Sequence, residues 1–413
     1  MISVDVALTA ILKEIEPLGP ESVHTGDTLG RVLFEDVHAG RPNPPWDNSA
    51  MDGYALRSAD TKGAKPDKPV TLKVVYDLPA GGVPKAPVGA GEAVRIMTGA
   101  PVPDGADAVV MVEMTNKADA DKVAILAEAK RGDHIRKAGE DFTEGAVVLK
   151  KTSRLRPADI AMLATIGAAY VFVHKRPRVA VISTGDELVE LNETPAKGKI
   201  SNSNGYALAA LVKECGAIPI QMGIARDTKE SLKEKLSSAM CAADMIISSG
   251  GVSVGDFDFV KDVLKEMGSR MVFWKVAMKP GKPLAFGVIG GKPSFGLPGN
   301  PVSSMVAFEQ FVKPAIQKMS GTGALTRNTL CARLTKDITI KPGRTNFIRA
   351  ALNIDIIGPE NTVTPLEGQG SGMILTMVSA NSYIIVPAES SGFKKGEMVR
   401  VQPFDASILT GRP

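Results

Sequence analysis

Ser183-Thr-Gly-Asp-Glu-Leu188, Ser248-Ser-Gly-Gly-Val-Ser-Val-Gly-Asp-Phe-Asp258 and Gly296-Leu-Pro-Gly-Asn-Pro301 are three loops, each following a short apolar run and leading towards a helix-patterned segment. In a parallel α/β sheet such loops gather along the carboxyl edge of the strands, where open sheets bind ligands. Between the second and third lies Trp274-Lys-Val-Ala-Met-Lys-Pro-Gly-Lys282. One edge would then carry backbone amides, several carboxylates and three lysines, a mixture that suits a phosphorylated or oxyanionic ligand held with a hard cation.

Outward from these loops the apolar pattern alternates between strand and helix periods. Strands are expected at 179–183, 218–224, 245–248, 271–276 and 284–288, and helices at 205–214, 228–242 and 259–267. Asp227 with Glu230 three residues on reads as a capping box, and Asn300 with Pro301 opens a last helix to about Met319. The expectation is a doubly wound α/β domain.

The flanks read differently. Ser3 caps a first helix bearing Leu8, Ile11, Leu12 and Ile15 on one face, and a second helix is expected from Arg156 to Ile166. From about Arg41 to Asp141 the chain is mostly β, with runs at 70–75, 92–97, 108–113 and 122–126 whose spacing suits a small barrel or sandwich. Beyond Gly323, short runs at 347–354, 374–377, 383–386 and 398–402 suit a second small barrel.

At 413 residues the chain exceeds one hydrophobic core, and 49 basic against 45 acidic residues are too balanced to argue for nucleic acid. No apolar stretch is long enough to cross a bilayer, so no membrane is expected. The three cysteines, Cys215, Cys241 and Cys331, read as buried free thiols of a cytoplasmic protein, and the four histidines lack zinc-site spacing. The phosphate-binding G-x-x-x-x-G-K-[ST] and the dinucleotide G-x-G-x-x-G are both missing, which removes most support for a kinase-like or dehydrogenase reading.

Taken singly, each motif has a structural explanation. The 248–258 loop is a glycine-rich turn whose aspartates would cap a helix; Asp186 and Glu187 would complement a helix dipole; Asn300 and Pro301 are helix starters, though a helix amino terminus is also an anion site. Lys275 and Lys279 lie in an otherwise apolar stretch, where a buried amine without an anionic partner is costly. Pro44 to Ala55 and Met97-Thr-Gly-Ala-Pro-Val-Pro103 concentrate carboxylates and hydroxyls in turns. Convergence at one sheet edge is what favours function.

At these residues the chain resembles the molybdopterin molybdenumtransferase family, the MoeA proteins, whose relatives include the carboxyl-terminal domain of gephyrin. The matching segments are Asn48-Ser-Ala-Met-Asp-Gly-Tyr54, Met97 to Pro101, Gly139-Glu-Asp141, Ser183 to Glu187, Ser249 to Gly255, Lys275 to Pro283 and Leu297 to Pro301. Trp46 stands where Phe is more usual, and Asp256 where Glu is. The resemblance implies an elongated split domain (1–45 and 139–175), an inserted β domain (46–138), the α/β domain (176–323) and a carboxyl-terminal β-barrel (324–413). It also implies a homodimer whose clefts join the inserted domain of one chain to the α/β domain of the other.

By the same resemblance, molybdenum from molybdate is inserted into adenylylated molybdopterin, with Mg²⁺ assisting and AMP released. Asp52, Thr98, Asp141, Glu187, Asp227 and Asp258 are the implied catalytic residues, with Glu187 and Asp258 at the metal. Ser249, Gly250, Gly251, Ser253, Lys275, Lys279, Pro298 and Pro301 are the implied substrate contacts. Further implied partners are a molybdopterin adenylyltransferase and molybdoenzyme apoproteins. Molybdate must approach a dithiolene beside a phosphate, and unit like charges roughly 4 Å apart repel by about 4 kcal/mol at an effective dielectric of about 20. Cations such as Lys275 and Lys279 would offset this. Two alternatives are an adenylyltransferase that makes the adenylylated pterin and a non-catalytic gephyrin-like scaffold.

Overall fold

The computed structural model describes residues 1–251, 258–323, 328–354 and 360–404, with backbone alone at 258–261. It divides into two units, Met1–Phe34 with Thr152–Pro157 and Tyr170–Pro413, and Glu35–Lys151 with Ala158–Ala169.

The first unit is built on a six-stranded sheet of β1 (Arg178–Thr184), β2 (Ile218–Ala225), β3 (Met245–Ser249), β4 (Arg270–Lys275), β5 (Pro283–Ile289) and β6 (Lys292–Leu297), in the order β2-β1-β3-β6-β5-β4. β2, β1, β3 and β6 are parallel; β5 runs against β6, and β4 against β5, so β4 points the same way as the parallel four. Because strand side chains alternate faces, Val179 and Val181 join one core with Leu208 and Val212 of α2 (Ser203–Glu214). Ala180 and Ile182 join the opposite core with Leu232, Leu236 and Ala239 of α3 (Lys229–Ala242) and Val263 of α4 (Asp258–Glu266). The sheet is covered on both faces, as the alternating pattern predicts.

The amino-terminal helix α1 (Val4–Lys13) is capped by Ser3, whose Oγ accepts from the Val6 amide at 3.3 Å, and it buries Val4, Ala7 and Ile11 in the α2 face of the α/β core. On that face too lies α5 (Pro301–Ala307), which continues through a π turn (Phe308–Val312) into a helical segment ending at Met319. Five carboxyl-terminal strands close a barrel: β7 (Leu330–Leu334), β8 (Thr345–Asn353), β9 (Thr362–Pro365), β10 (Ser382–Val386) and β11 (Met398–Pro403), in the order β8-β9-β7-β11-β10 with β10 returning to β8. Ala350, Leu352, Val363, Ile384 and Val401 fill it.

The second unit holds another six-stranded sheet, ordered 108–111, 53–56, 92–96, 70–78, 122–125 and 115–119. Its outer strands do not pair with each other, so this is one open sheet, neither the small barrel nor the sandwich that the run spacing suited. Leu56, Val110, Val123 and Ile125 fill one face, and Ala55, Val94, Ile96 and Val109 the other. Gly53 is required where it stands, since a Cβ there would lie 1.9 Å from the Val110 carbonyl oxygen.

Four further expectations need correction. The cap of α3 is Thr228, whose hydroxyl accepts from Ser231 N at 3.2 Å, and not Asp227. The apolar run at 374–377 is helical, in α6 (Leu375–Ser379), with Leu375 and Val378 exposed; so short a run carries no period to separate strand from helix. Cys241 and Cys331 are exposed, and Cys215 is half-buried with its thiol pushed up to about 12 by desolvation. Asp186 and Glu187 lie in no first helical turn: they precede the two-residue strand Leu188–Val189.

Candidate active site

The carboxyl ends of β1, β3 and β6 are adjacent, because β3 pairs with both of the others. Their loops are bonded to one another. The Gly250 amide donates to the Leu297 carbonyl at 3.1 Å, and Ser249 Oγ to the Pro298 carbonyl at 3.4 Å. Asn204, in the first turn of α2, donates from one amide nitrogen to Ser249 Oγ at 2.8 Å and to the Gly299 carbonyl at 2.7 Å. Asn202 caps α2, its Oδ1 accepting from Ser183 Oγ at 2.6 Å and from Gly205 N at 3.1 Å. Gly250 has φ +97°, and a Cβ on it would lie 2.6 Å from the Thr184 carbonyl oxygen, so only glycine permits this approach of the first two loops.

The acidic end of this edge lies between β1 and β2. Asp186 and Asp227 bond reciprocally, each backbone amide donating to the other's carboxylate at 3.2 Å. Lys199 Nζ donates to the Asp186 carbonyl at 2.6 Å, and the Glu187 carboxylate folds back over Gly185. Among the described residues no cluster of three His, Cys, Asp or Glu side chains forms a metal cage. Mg²⁺ is usually held by one or two carboxylates together with substrate phosphates and water, a mode that the exposed Glu187 carboxylate fits. The side chain of Asp258, and Ser253, lie outside the described residues; Gly251 follows Gly250 in the β3 loop.

The lysines occupy the other end. Lys275 closes β4 and is half-buried, while Lys279 is exposed, so burial does not by itself demand an anion there. Met278–Lys279 pairs in parallel with Thr345 and Asn346 of β8, which ties the lysine loop to the barrel. Pro298 follows β6 and Pro301 is the first residue of α5, but the Val302 amide already donates to the Ser371 carbonyl at 3.1 Å. That bond removes one donor from the expected anion site.

In the second unit Asp52 and Thr98 form a clasp. One carboxylate oxygen accepts from both the Thr98 amide and its hydroxyl, each at 2.7 Å. These two bonds, the backbone one foremost, hold the Asp52 carboxyl below its usual range, with Arg95 adding a smaller attraction. Asp141 Oδ2 accepts from Asn43 Nδ2 at 3.0 Å beside a cavity of about 580 Å³ that Trp46, Asn48 and Arg136 also line.

Sequence reasoning missed several residues at this edge. Arg349 is a fully buried guanidinium that donates to the carbonyls of Gly368 and Gly370 at 3.0 Å and of Met373 at 3.3 Å; burial without a carboxylate lowers its pKa. It shapes the loop whose Ser371 Oγ accepts from Asn300 Nδ2 at 3.0 Å beside α5. The only local signal for Asn202 and Asn204 was their place before a helix-patterned segment. Arg349 and Ser371 gave none.

Comparison with known proteins covers nearly the whole chain. Residues 2–167 match the MoeA N-terminal region (domain I and II), 180–318 a probable molybdopterin binding domain, and 331–404 the MoeA C-terminal region (domain IV). A molybdopterin molybdenumtransferase of Staphylococcus aureus (strain MSSA476) is 39% identical over 403 residues, spanning 97% of this chain and 95% of that relative. One from Nostoc sp. is 39% identical over 376 residues, spanning 90% of this chain and 86% of the relative. Two solved structures of a molybdopterin biosynthesis MoeA protein from Pyrococcus horikoshii superpose with TM-scores of 0.86 and 0.83 at 34% and 33% identity, each covering 98% of this chain and 100% of that one.

Proposed function

Because the chain belongs to the MoeA family, we propose that it is a molybdopterin molybdenumtransferase of molybdenum cofactor biosynthesis, which inserts molybdenum from molybdate into adenylylated molybdopterin and releases AMP. The observation that carries this reading is the sheet edge itself, where loops bonded through Asn204 lie between carboxylates on one side and lysines on the other.

Lys275 and Lys279 hold molybdate as cations, offsetting its repulsion by the phosphate of the pterin. Ser249, Gly250, Gly251 and Ser253 present hydroxyls and backbone amides to the substrate's phosphate groups, and Pro298 and Pro301 shape the wall beside them. Glu187 and Asp258 place Mg²⁺, which when bound neutralises charge on the phosphate that leaves with AMP. Asp227, bonded to the Asp186 amide, fixes the β1 loop that carries Glu187. Asp52, oriented by Thr98, and Asp141 act on the pterin or on water from the inserted domain.

The division into a split domain, an inserted β domain, an α/β domain and a barrel belongs to the same proposal, as do the homodimer with shared clefts, the cytoplasmic location, and transfer partners among adenylyltransferases and molybdoenzyme apoproteins. No helix of the described residues is long and apolar enough to cross a membrane. Adding molybdate and Mg²⁺ to the chain with adenylylated molybdopterin is expected to release AMP. Release of pyrophosphate from ATP and unadenylylated molybdopterin, without AMP release in the first reaction, would assign the adenylyltransferase activity instead.

A further inference from the structure

The cavity of about 580 Å³ in the second unit is lined by Trp46, Asn48, Arg136, Glu140 and Asp141 and bounded by the stiff Asn43-Pro-Pro segment. Its size lies within the usual range for a small-molecule site. Trp46 is 52% exposed although it lines a concavity, which leaves much of its indole free to take a flat ring. The neighbouring backbone is clamped: Asp47 accepts from Lys137 Nζ at 2.6 Å and from the Ala138 amide at 2.9 Å.

The polar groups of this cavity are only half used. Asp141 commits Oδ2 to Asn43, and Glu140 commits Oε2 to the Lys137 amide at 3.1 Å; each keeps its other oxygen without a partner among the described residues. Arg136 makes no ion pair among the described residues. Asn48 is 8% exposed, yet its side chain makes no hydrogen bond there, and its Oδ1 is buried without a partner. A buried polar group left unpaired is costly, and the Asn48 amide carries that cost at the wall of the cavity.

Glu140 and Asp141 each line the cavity with one carboxylate oxygen uncommitted, and together with Trp46 they suit a flat ring with adjacent N–H donors. The 2-amino and N3–H edge of a pterin offers such a pair, whereas adenine sets its amino group beside an acceptor nitrogen. Resting on the transferase reading, we propose that this cavity seats the bicyclic pterin of the substrate, stacked on Trp46, with its 2-amino and N3–H edge on Asp141 and Glu140 and its carbonyl oxygen towards Arg136.

The test is fluorescence anisotropy of neopterin with the full chain, in the absence of molybdate, Mg²⁺ and nucleotide, with AMP affinity measured in parallel. Saturable neopterin binding is expected. It should weaken by about tenfold or more in Trp46→Ala and in Asp141→Asn. Trp46→Phe should largely restore it, and AMP affinity should stay unchanged throughout. No saturable binding to the wild-type chain, binding indifferent to both substitutions, or equal losses for neopterin and AMP would each overturn the proposal. If the wild-type chain releases AMP on adding molybdate while neopterin ignores Trp46, only the pterin seat fails. If no AMP is released, the transferase reading fails, and the binding result is judged by itself.

Discussion

Removing the Asn204 amide leaves Ser249 Oγ and the Gly299 carbonyl without the donor that joins their loops. Asn204→Ala is therefore expected to cost about 1–3 kcal/mol in urea unfolding; an unchanged midpoint would show that the loops hold without it. Lys279→Gln should weaken the molybdate dependence of AMP release more than it weakens binding of the adenylylated pterin, and equal losses would argue against the anion role. Asp52 has a depressed folded pKa, so its clasp with Thr98 adds stability above the ordinary carboxylate range and loses it only as pH falls through the lowered value. In an NMR titration the Thr98 amide should shift with a midpoint below the ordinary aspartate value and not shift in Asp52→Asn. A midpoint at or above that value would contradict the clasp.

At the scale of elements, α3 tests how its cap is assigned. Thr228→Ala is expected to lower stability by about 1 kcal/mol, while Asp227→Ala should spare the helix and loosen the Asp186 loop. Comparable helix destabilisation by both would restore Asp227 as the cap. Most strands and helices of the α/β sheet were legible because their side chains alternate between two covered faces, as Val179 to Ile182 do. The strand at 115–119 was not legible: it is a polar edge with no apolar face to mark it. The strand at 53–56 was hidden by Gly53, whose missing side chain reads as a turn but serves close pairing with Val110. The glycines of the β3 loop announced themselves by composition. Arg349 and Ser371 reach that edge only through the closure of a barrel far along the chain, which no local pattern encodes.

At the scale of the whole molecule, nearly every segment matches one family in order. If each cleft draws on two chains, mixing Asp52→Ala with Lys279→Gln protein should recover part of the activity that each lacks alone, since each heterodimer carries one intact cleft. No recovery after verified subunit exchange would remove the shared cleft. The transfer itself is tested most directly by following AMP and pterin-bound molybdenum together, in one reaction of the purified chain with adenylylated molybdopterin, Mg²⁺ and molybdate. The account predicts that both appear in equal amounts and at the same rate, and that both fall in Lys279→Gln; AMP released without molybdenum entering the pterin, or no AMP at all, would contradict it.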